Sequence, residues 1–226
     1  MEQDFLLSLL MIIGIDLVLG ADNAVVIALA CRNLPVLQRN KAIILGTMLA
    51  IVFRIFITLI AVYLLKIPFL QLVGGVFLLY IAYNLIAGKE DDTSKIKSHP
   101  SLWRAIKTIV IADLLMGFDN VLAVAGAAQG HMLLVAMGLF ISIPIIIWGS
   151  KIILVLLTKY PFLVYIGGGL LAFTSGKMIV EEPKLQGIFY SHPMLELSIP
   201  YMTASFIILA GVLYHQMINF QTARRD

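Results

Sequence analysis

Apolar segments long enough to cross a lipid bilayer fill most of this 226-residue chain. A membrane-spanning helix needs about 20 predominantly apolar residues, and several segments of that kind follow one another here. Hydrophobic residues make up 61% of the chain and charged residues 13%, with a mean hydropathy of +0.99. These values exclude an ordinary soluble domain, because no polar segment is large enough to form one. The sequence therefore predicts an all-α, polytopic membrane protein with a single transmembrane domain, 1–226.

Seven transmembrane helices are predicted from the apolar runs and from the Pro, Gly and charged residues that separate them. Their approximate ranges are 5–31, 41–65, 69–88, 103–128, 132–157, 162–181 and 200–220. The longest polar segment, 89–102, carries mixed charges and is predicted to be a solvated cytoplasmic linker. Cys31 is the only cysteine, so no internal disulfide is expected.

An acidic motif occurs twice within this apolar sequence. Both copies read D-φ-φ-φ-G-x-D-N, where φ is apolar, and they begin at Asp16 and Asp113, 97 residues apart. A carboxylate within a membrane span is costly and is therefore a functional-site hypothesis by default. Two such copies predict a single site assembled from two halves of the chain.

The two halves resemble each other beyond this motif. The run 68–75 resembles the run 161–168, and at the 97-residue offset Arg54 falls on Lys151. Each half is predicted to be a unit of three helices. Because an odd number of spans reverses direction, the two units are expected to be inverted repeats, as in many secondary transporters. The predicted boundaries are about 5–88 for repeat one, about 103–182 for repeat two and about 200–220 for an extra helix.

Positive charges are distributed unevenly among the predicted loops. If the N-terminus lies outside the cell, 11 Lys and Arg residues fall in cytoplasmic segments, and only Lys66 and Lys184 fall in outer segments. Cytoplasmic loops of membrane proteins carry an excess of Lys and Arg. The sequence therefore predicts a multi-pass protein with its N-terminus outside and its C-terminus in the cytoplasm.

Oxygen atoms of Asp and Asn are the ligands that the two motif copies offer. Such ligands suit hard or borderline divalent cations such as Mn²⁺, Mg²⁺ and Ca²⁺. In a straight helix Asp22 points about 100° away from Asn23, so a break at Gly20 or Gly117 is expected to help these groups converge. The predicted metal-binding residues are Asp16, Asp22, Asn23, Asp113, Asp119 and Asn120.

Two basic residues inside predicted spans, Arg54 and Lys151, are expected to be intramembrane counter-charges for these acids. Arg cannot readily lose its charge, whereas a buried Lys can. We therefore expect Arg54 to be a fixed counter-charge and Lys151 to be displaced or deprotonated when a cation arrives. A static ion pair with the same Asp residues is an open alternative.

The duplicated D-x5-D-N motif resembles that of the TerC family of integral membrane proteins, and the chain length resembles its YjbE-like bacterial subgroup. The resemblance extends from about residue 5 to about residue 220. It implies a bacterial cytoplasmic membrane location and, because the family resembles lysine-exporter-type transporters, an efflux function. It also implies manganese as the exported ion, an association with tellurium-ion resistance, and secreted or membrane metalloenzymes that receive manganese as partners.

The function predicted from these observations is export of a divalent cation, manganese by resemblance, through alternating access between the repeats. The expected partners are the lipid bilayer and the ion, with no resident cofactor and no nucleic acid. Two alternatives remain open: an exporter of small organic cations or amino acids, and a membrane scaffold, linked to tellurium-ion resistance, whose acidic core is structural. An enzyme is not expected, because the sequence shows no nucleophile–base set and no cofactor motif.

Overall fold

The structure, a computed structural model, is helical through nearly all the residues that it describes. It describes the backbone of residues 2–64, 67–88, 101–128 and 132–223, which excludes most of the predicted linker. Within these ranges the description omits the side chains of residues 2–5, 18–19, 59, 61–64, 118–123, 125–128, 132 and 218–223. The helices are α1 (Glu2–Leu19), α2 (Ala21–Cys31), α3 (Val36–Leu64), α4 (Leu70–Ala87), α5 (Leu102–Ala128), α6 (Met132–Lys159), α7 (Leu163–Val180), α8 (Gln186–Ser191) and α9 (Pro193–Ala223).

Several of these helices are long and apolar enough to span a bilayer. The pair Leu6–Leu17 and Ala21–Cys31 meets the same criterion as a single bent span. α5 has the length of a span, 27 residues, although part of its side chains lies outside the description. The predicted all-α polytopic fold is therefore confirmed. The straight spans found within the described residues are Val36–Thr58, Leu70–Ala87, Leu133–Lys159, Leu163–Val180 and Pro193–Met217.

The first predicted helix is divided at the glycine of the acidic motif. α1 and α2 meet at Gly20, and the two segments are bent by 44° relative to each other. The carbonyls of Asp16 and Gly20 still accept backbone hydrogen bonds, of 2.7 Å and 3.3 Å, so the bend does not release either as a ligand. In the second copy, α5 continues through Gly117. The predicted break is confirmed at Gly20 and is absent at Gly117.

The last helix begins earlier than predicted. α9 starts at Pro193 and contains Pro200, the predicted first residue of this helix. Pro193 suits the first turn of a helix, where its missing N–H has no acceptor to satisfy. α7 approaches Pro200 closely at Gly176, where an added Cβ would lie 2.6 Å from the Pro200 Cα. Thr203 also donates a hydrogen bond of 2.8 Å to the carbonyl of Ala172.

Helices α1, α2, α3, α5 and α6 form one compact unit. Within it, α3 packs mainly on α5, and α6 packs mainly on α1 and α2. Gly46 of α3 lies against Ile109 of α5, and Gly138 of α6 lies against Ile12 of α1. Ile12 and Ile109 are 97 residues apart, and each lies four residues before the first Asp of its motif copy. The two halves of the chain therefore exchange equivalent contacts within this unit.

Helices α4, α7, α8 and α9 form the second compact unit. In it, α7 packs on both α4 and α9. Glu182, which is only 1% exposed, accepts hydrogen bonds from the backbone N–H groups of Phe69, Gln71 and Leu72 at 2.9, 3.2 and 3.4 Å. A carboxylate at this place satisfies donors that the first turn of α4 would otherwise leave unpaired. Glu182 therefore fixes the end of α7 to the start of α4.

Candidate cation site

Arg54 of α3 forms buried ion pairs with two carboxylates. Its Nη1 donates to Asp16 Oδ1, and its Nη2 donates to Asp113 Oδ1. The side chains of Arg54, Asp16 and Asp113 are 3%, 0% and 10% exposed. A charge in apolar surroundings is costly unless it is paired and hydrogen-bonded. The burial of Arg54 within a membrane span therefore depends on both carboxylates.

The two carboxylates occupy the same position in the two copies of the motif. Asp16 lies on α1 and Asp113 lies on α5, the first helix of each predicted repeat. One guanidinium thus joins the two halves of the chain at their duplicated acidic residue. The structure brings together the first Asp of each copy, as a single site made from two halves requires.

The two carboxylates differ in their remaining hydrogen bonds. The Ser142 hydroxyl of α6 donates to Asp16 Oδ2 and lies 2.8 Å from the carbonyl of Leu139. Asp113 Oδ2 has no hydrogen-bond partner in the described part of the chain. Both oxygens of Asp16 are therefore engaged, whereas Asp113 keeps one oxygen available for a ligand.

A small cavity lies beside the ion pair, within the same compact unit. Its volume is about 10 Å³, at the lower limit of the space that a single water molecule needs. Its polar lining consists of Asn23, Thr47, Arg54 and Asp113, and the rest of the lining is aliphatic. Five buried polar atoms of these residues lack a hydrogen-bond partner among the described residues: Asn23 Oδ1, Asn23 Nδ2, Thr47 Oγ1, Arg54 Nε and Asp113 Oδ2. Buried polar groups are normally paired with protein or with ordered water, so these five atoms require a water molecule or a ligand in the cavity.

The two motif glycines both border this cluster. A Cβ on Gly117 would lie 3.5 Å from Arg54 Nε, which is an ordinary van der Waals contact. A Cβ on Gly20 would lie only 2.2 Å from the backbone carbonyl oxygen of Asp16. Gly20 is therefore required by the local backbone, whereas the space beside Gly117 would accept a methyl group.

The other predicted ligands are placed less uniformly. Asn23 is 3% exposed and lines the cavity. Asp22 is partly buried and does not line the cavity. Asp119 and Asn120 lie on α5, but their side chains are outside the described residues. Of the six predicted ligands, the structure places Asp16, Asn23 and Asp113 around Arg54.

Lys151 does not join this cluster. Its side chain is exposed on α6, whereas Arg54 is buried on α3. The predicted equivalence of Arg54 and Lys151 is therefore wrong, because the 97-residue offset of the motif does not extend to the second helices. Positions five residues apart on a helix point in directions that differ by about 140°, so an offset that is wrong by five residues matches a buried position with an exposed one. At an offset of 92 residues the buried positions Gly46, Ala50, Arg54 and Thr58 fall on the buried positions Gly138, Ser142, Ile146 and Ser150.

Thr47 and Ser142 contact or line the site and were missed by the sequence analysis. Both are hydroxyl residues within otherwise apolar spans. Thr47 precedes Arg54 by seven residues, a spacing that places two residues on the same helix face. That spacing is a signal from which Thr47 could have been found. Ser142 has no such signal, because its partner Asp16 lies 126 residues away in the chain.

The atoms of the described site residues that could bind a metal ion are oxygens. No group of three His, Cys, Asp or Glu side chains that could hold a metal ion occurs among the residues searched, which exclude Asp119. The available set is two carboxylates together with the neutral oxygens of Asn23, Thr47 and Ser142. Such a set suits Mg²⁺ or Mn²⁺ better than the softer metals.

Comparison with known proteins gives a consistent family assignment. A model described as "Integral membrane protein TerC family" matches residues 1–219. The uncharacterized membrane protein YjbE of Bacillus subtilis is 57% identical over 217 residues, which cover 96% of this chain and 99% of that protein. No solved structure matches the chain.

More distant relatives are longer than this chain. The uncharacterized membrane protein YkoY of Bacillus subtilis is 29% identical over 69% of this chain and 54% of its own length. The UPF0053 inner membrane protein YoaE of Escherichia coli K12 is 29% identical over 73% of this chain and 35% of its own length. This chain therefore corresponds to only part of the length of these larger proteins.

Proposed function

The chain belongs to the TerC family of integral membrane proteins, and from that premise we propose that it exports a divalent metal cation across the bacterial cytoplasmic membrane. The observation that carries this proposal is the convergence of Asp16 and Asp113, buried and contributed by different halves of the chain. Ionisable residues within membrane spans mark ion pathways. Alternating access between the two repeats would open this site to each side of the membrane in turn.

Manganese is the ion that we propose. The oxygen donors support a hard or borderline cation, and the resemblance to the TerC family selects manganese among these. Affinity in vitro is a poor guide to the physiological ion, because the Irving–Williams order places Mn²⁺ below most competing transition metals. Transport under manganese stress is therefore the more informative measurement.

Proteoliposomes loaded with Mn²⁺ test this function directly. We expect vesicles that contain the purified protein to release Mn²⁺ faster than protein-free vesicles. Bacteria that lack the protein are expected to accumulate more manganese than the parent strain when grown in excess Mn²⁺. Release at the rate of protein-free vesicles, together with unchanged cellular manganese, would contradict the proposal.

A structural scaffold is the second candidate. The observation in its favour is that Arg54 pairs with both carboxylates, which is also the arrangement of a static ion pair. The two candidate functions predict different effects when the charged side chains of the ion pair are replaced by neutral ones. A static network of charges can be replaced by neutral side chains of similar volume with little loss of stability. A cation site loses its ligands under the same change.

The orientation that we propose places the N-terminus outside and the 89–102 linker in the cytoplasm, following the distribution of positive charges. A cysteine introduced as Ser94→Cys, in a Cys31→Ala background, tests it. We expect this cysteine to be protected from membrane-impermeant thiol reagents in intact cells and to react after the cells are opened. Labelling from outside would reverse the proposed orientation.

A further inference from the structure

The guanidinium of Arg54 occupies the oxygen atoms that a cation would require. It takes Oδ1 of both Asp16 and Asp113, and the Ser142 hydroxyl takes the second oxygen of Asp16. Only Asp113 Oδ2 remains available on the two carboxylates, within the described residues. A divalent cation beside the paired guanidinium would be repelled strongly, because charges interact far more in low dielectric than in water. Arg54 and a cation therefore compete for the same place.

The cavity beside Arg54 contains both donors and acceptors. Arg54 Nε and the Asn23 amide can donate hydrogen bonds, whereas Asp113 Oδ2 and Asn23 Oδ1 can only accept them, and the Thr47 hydroxyl can do either. A water molecule matches such a mixture, since it donates two hydrogen bonds and accepts two. A cation does not, because the N–H groups of Arg54 and Asn23 point positive charge at it. The cavity becomes a cation site only if Arg54 moves away.

We propose that Arg54 and the transported cation bind Asp16 and Asp113 in alternation, so that the guanidinium acts as a tethered counter-ion that the cargo must displace. This inference rests on the proposed function only in taking a divalent cation as the cargo. Departure of Arg54 frees Oδ1 of both carboxylates. Together with Asp113 Oδ2, Asn23 Oδ1 and Thr47 Oγ1, these atoms provide an oxygen set suited to Mn²⁺. Return of the guanidinium then expels the ion.

Neutralising Arg54 tests this competition. We expect Arg54→Gln to bind Mn²⁺ about tenfold or more tightly than the wild type, because no internal cation has to leave first. The measurement is titration of purified protein in detergent with Mn²⁺ alone. Lys107→Gln is the matched control, because it removes one positive charge from an exposed position on α5. Unchanged affinity in Arg54→Gln, or an equal gain in Lys107→Gln, would overturn the proposal.

Loss of Arg54 leaves two buried carboxylates without a counter-charge, so Arg54→Gln can fail to fold. Recovery of the folded variant when it is expressed and purified with Mn²⁺ supports the proposal, because the metal then replaces the guanidinium. If no folded Arg54→Gln protein is obtained, Mn²⁺ binding by the Arg54→Lys variant provides the test. An ammonium cannot bridge both carboxylates as a planar fork does, so it competes less well. Mn²⁺ binding by Arg54→Lys that is no tighter than in the wild type contradicts the proposal.

Measurements of both Mn²⁺ binding and Mn²⁺ transport distinguish failure of this proposal from failure of the proposed export function. Wild-type release of Mn²⁺ from vesicles with no gain of affinity in Arg54→Gln would leave export standing and refute the alternation. A gain of affinity with no transport by the wild type would keep the alternation and refute export. Thr47→Val in the Arg54→Gln background identifies the additional ligand, because loss of the hydroxyl oxygen is expected to weaken Mn²⁺ binding several-fold.

Discussion

Replacement of Asp16 by Asn is expected to reduce Mn²⁺ efflux about a hundredfold. In metal sites, mutation of a residue that only hydrogen-bonds to a ligand already costs up to that much in affinity or activity. The substitution removes a ligand charge and also leaves Arg54 with one carboxylate in place of two. The amide keeps the shape of the side chain and can still accept a hydrogen bond from Ser142. Efflux from proteoliposomes, at matched amounts of folded protein, is the measurement.

Asp113→Asn is expected to have an effect of similar size, because Asp113 occupies the equivalent position in the second half. The double variant Asp16→Asn with Asp113→Asn should be little worse than either single variant. Residues that act as one unit are not additive, and each single loss already disables the site. Additive losses would indicate two independent ion sites, one in each half of the chain.

A neutral triple variant distinguishes export from the scaffold alternative. It combines Asp16→Asn, Arg54→Gln and Asp113→Asn. It neutralises all three charged side chains of the buried ion pair, so that none of the three is left without its partner. We expect a folded protein that does not transport Mn²⁺, because a neutral set cannot replace the hydration shell of a dication. Glu181→Gln is the control, since Glu181 is an exposed carboxylate 3.9 Å from Lys177. Normal efflux by the neutral triple variant would assign the ion pair a structural role.

The membrane-spanning helices and the two first Asp residues could be predicted because their signals are local and repeated. An apolar run of span length needs no knowledge of its neighbours, and duplication of the motif points to convergence of Asp16 and Asp113. Arg54 could be predicted for a related reason. A guanidinium inside a span must find carboxylates, and few are available at that depth.

The partners of these groups could not be predicted, because they depend on how the helices face one another. A constant offset of 97 residues places Arg54 opposite Lys151, but the register changes by five residues between the first and second helices of each half. Sequence similarity at the ends of each repeat does not reveal where that change occurs. The hydrogen bond from Ser142 to Asp16 depends on the packing of α6 against α1, which no local pattern encodes.

Gly20→Ala is expected to reduce Mn²⁺ efflux about tenfold to a hundredfold, although it adds only a methyl group outside the ion pair. The added Cβ would lie 2.2 Å from the carbonyl oxygen of Asp16, far inside any real contact distance. This oxygen belongs to the backbone and cannot swing aside as the end of a side chain can. The turn between α1 and α2 must therefore shift, and the Asp16 carboxylate shifts with it. A misplacement of about 1 Å at a reacting group can cost about a hundredfold.

Gly14→Ala provides the matched comparison on the same helix. A Cβ at Gly14 meets nothing within 4 Å, so this variant is expected to transport at the wild-type rate. Alanine also has a higher helix propensity than glycine, by about 1 kcal/mol, so α1 should not be weakened. Efflux and thermal stability are to be measured for both variants in the same membrane preparation. Wild-type efflux in Gly20→Ala would show that the bend between α1 and α2 does not position Asp16, and that the glycine of the first motif copy is dispensable to the site.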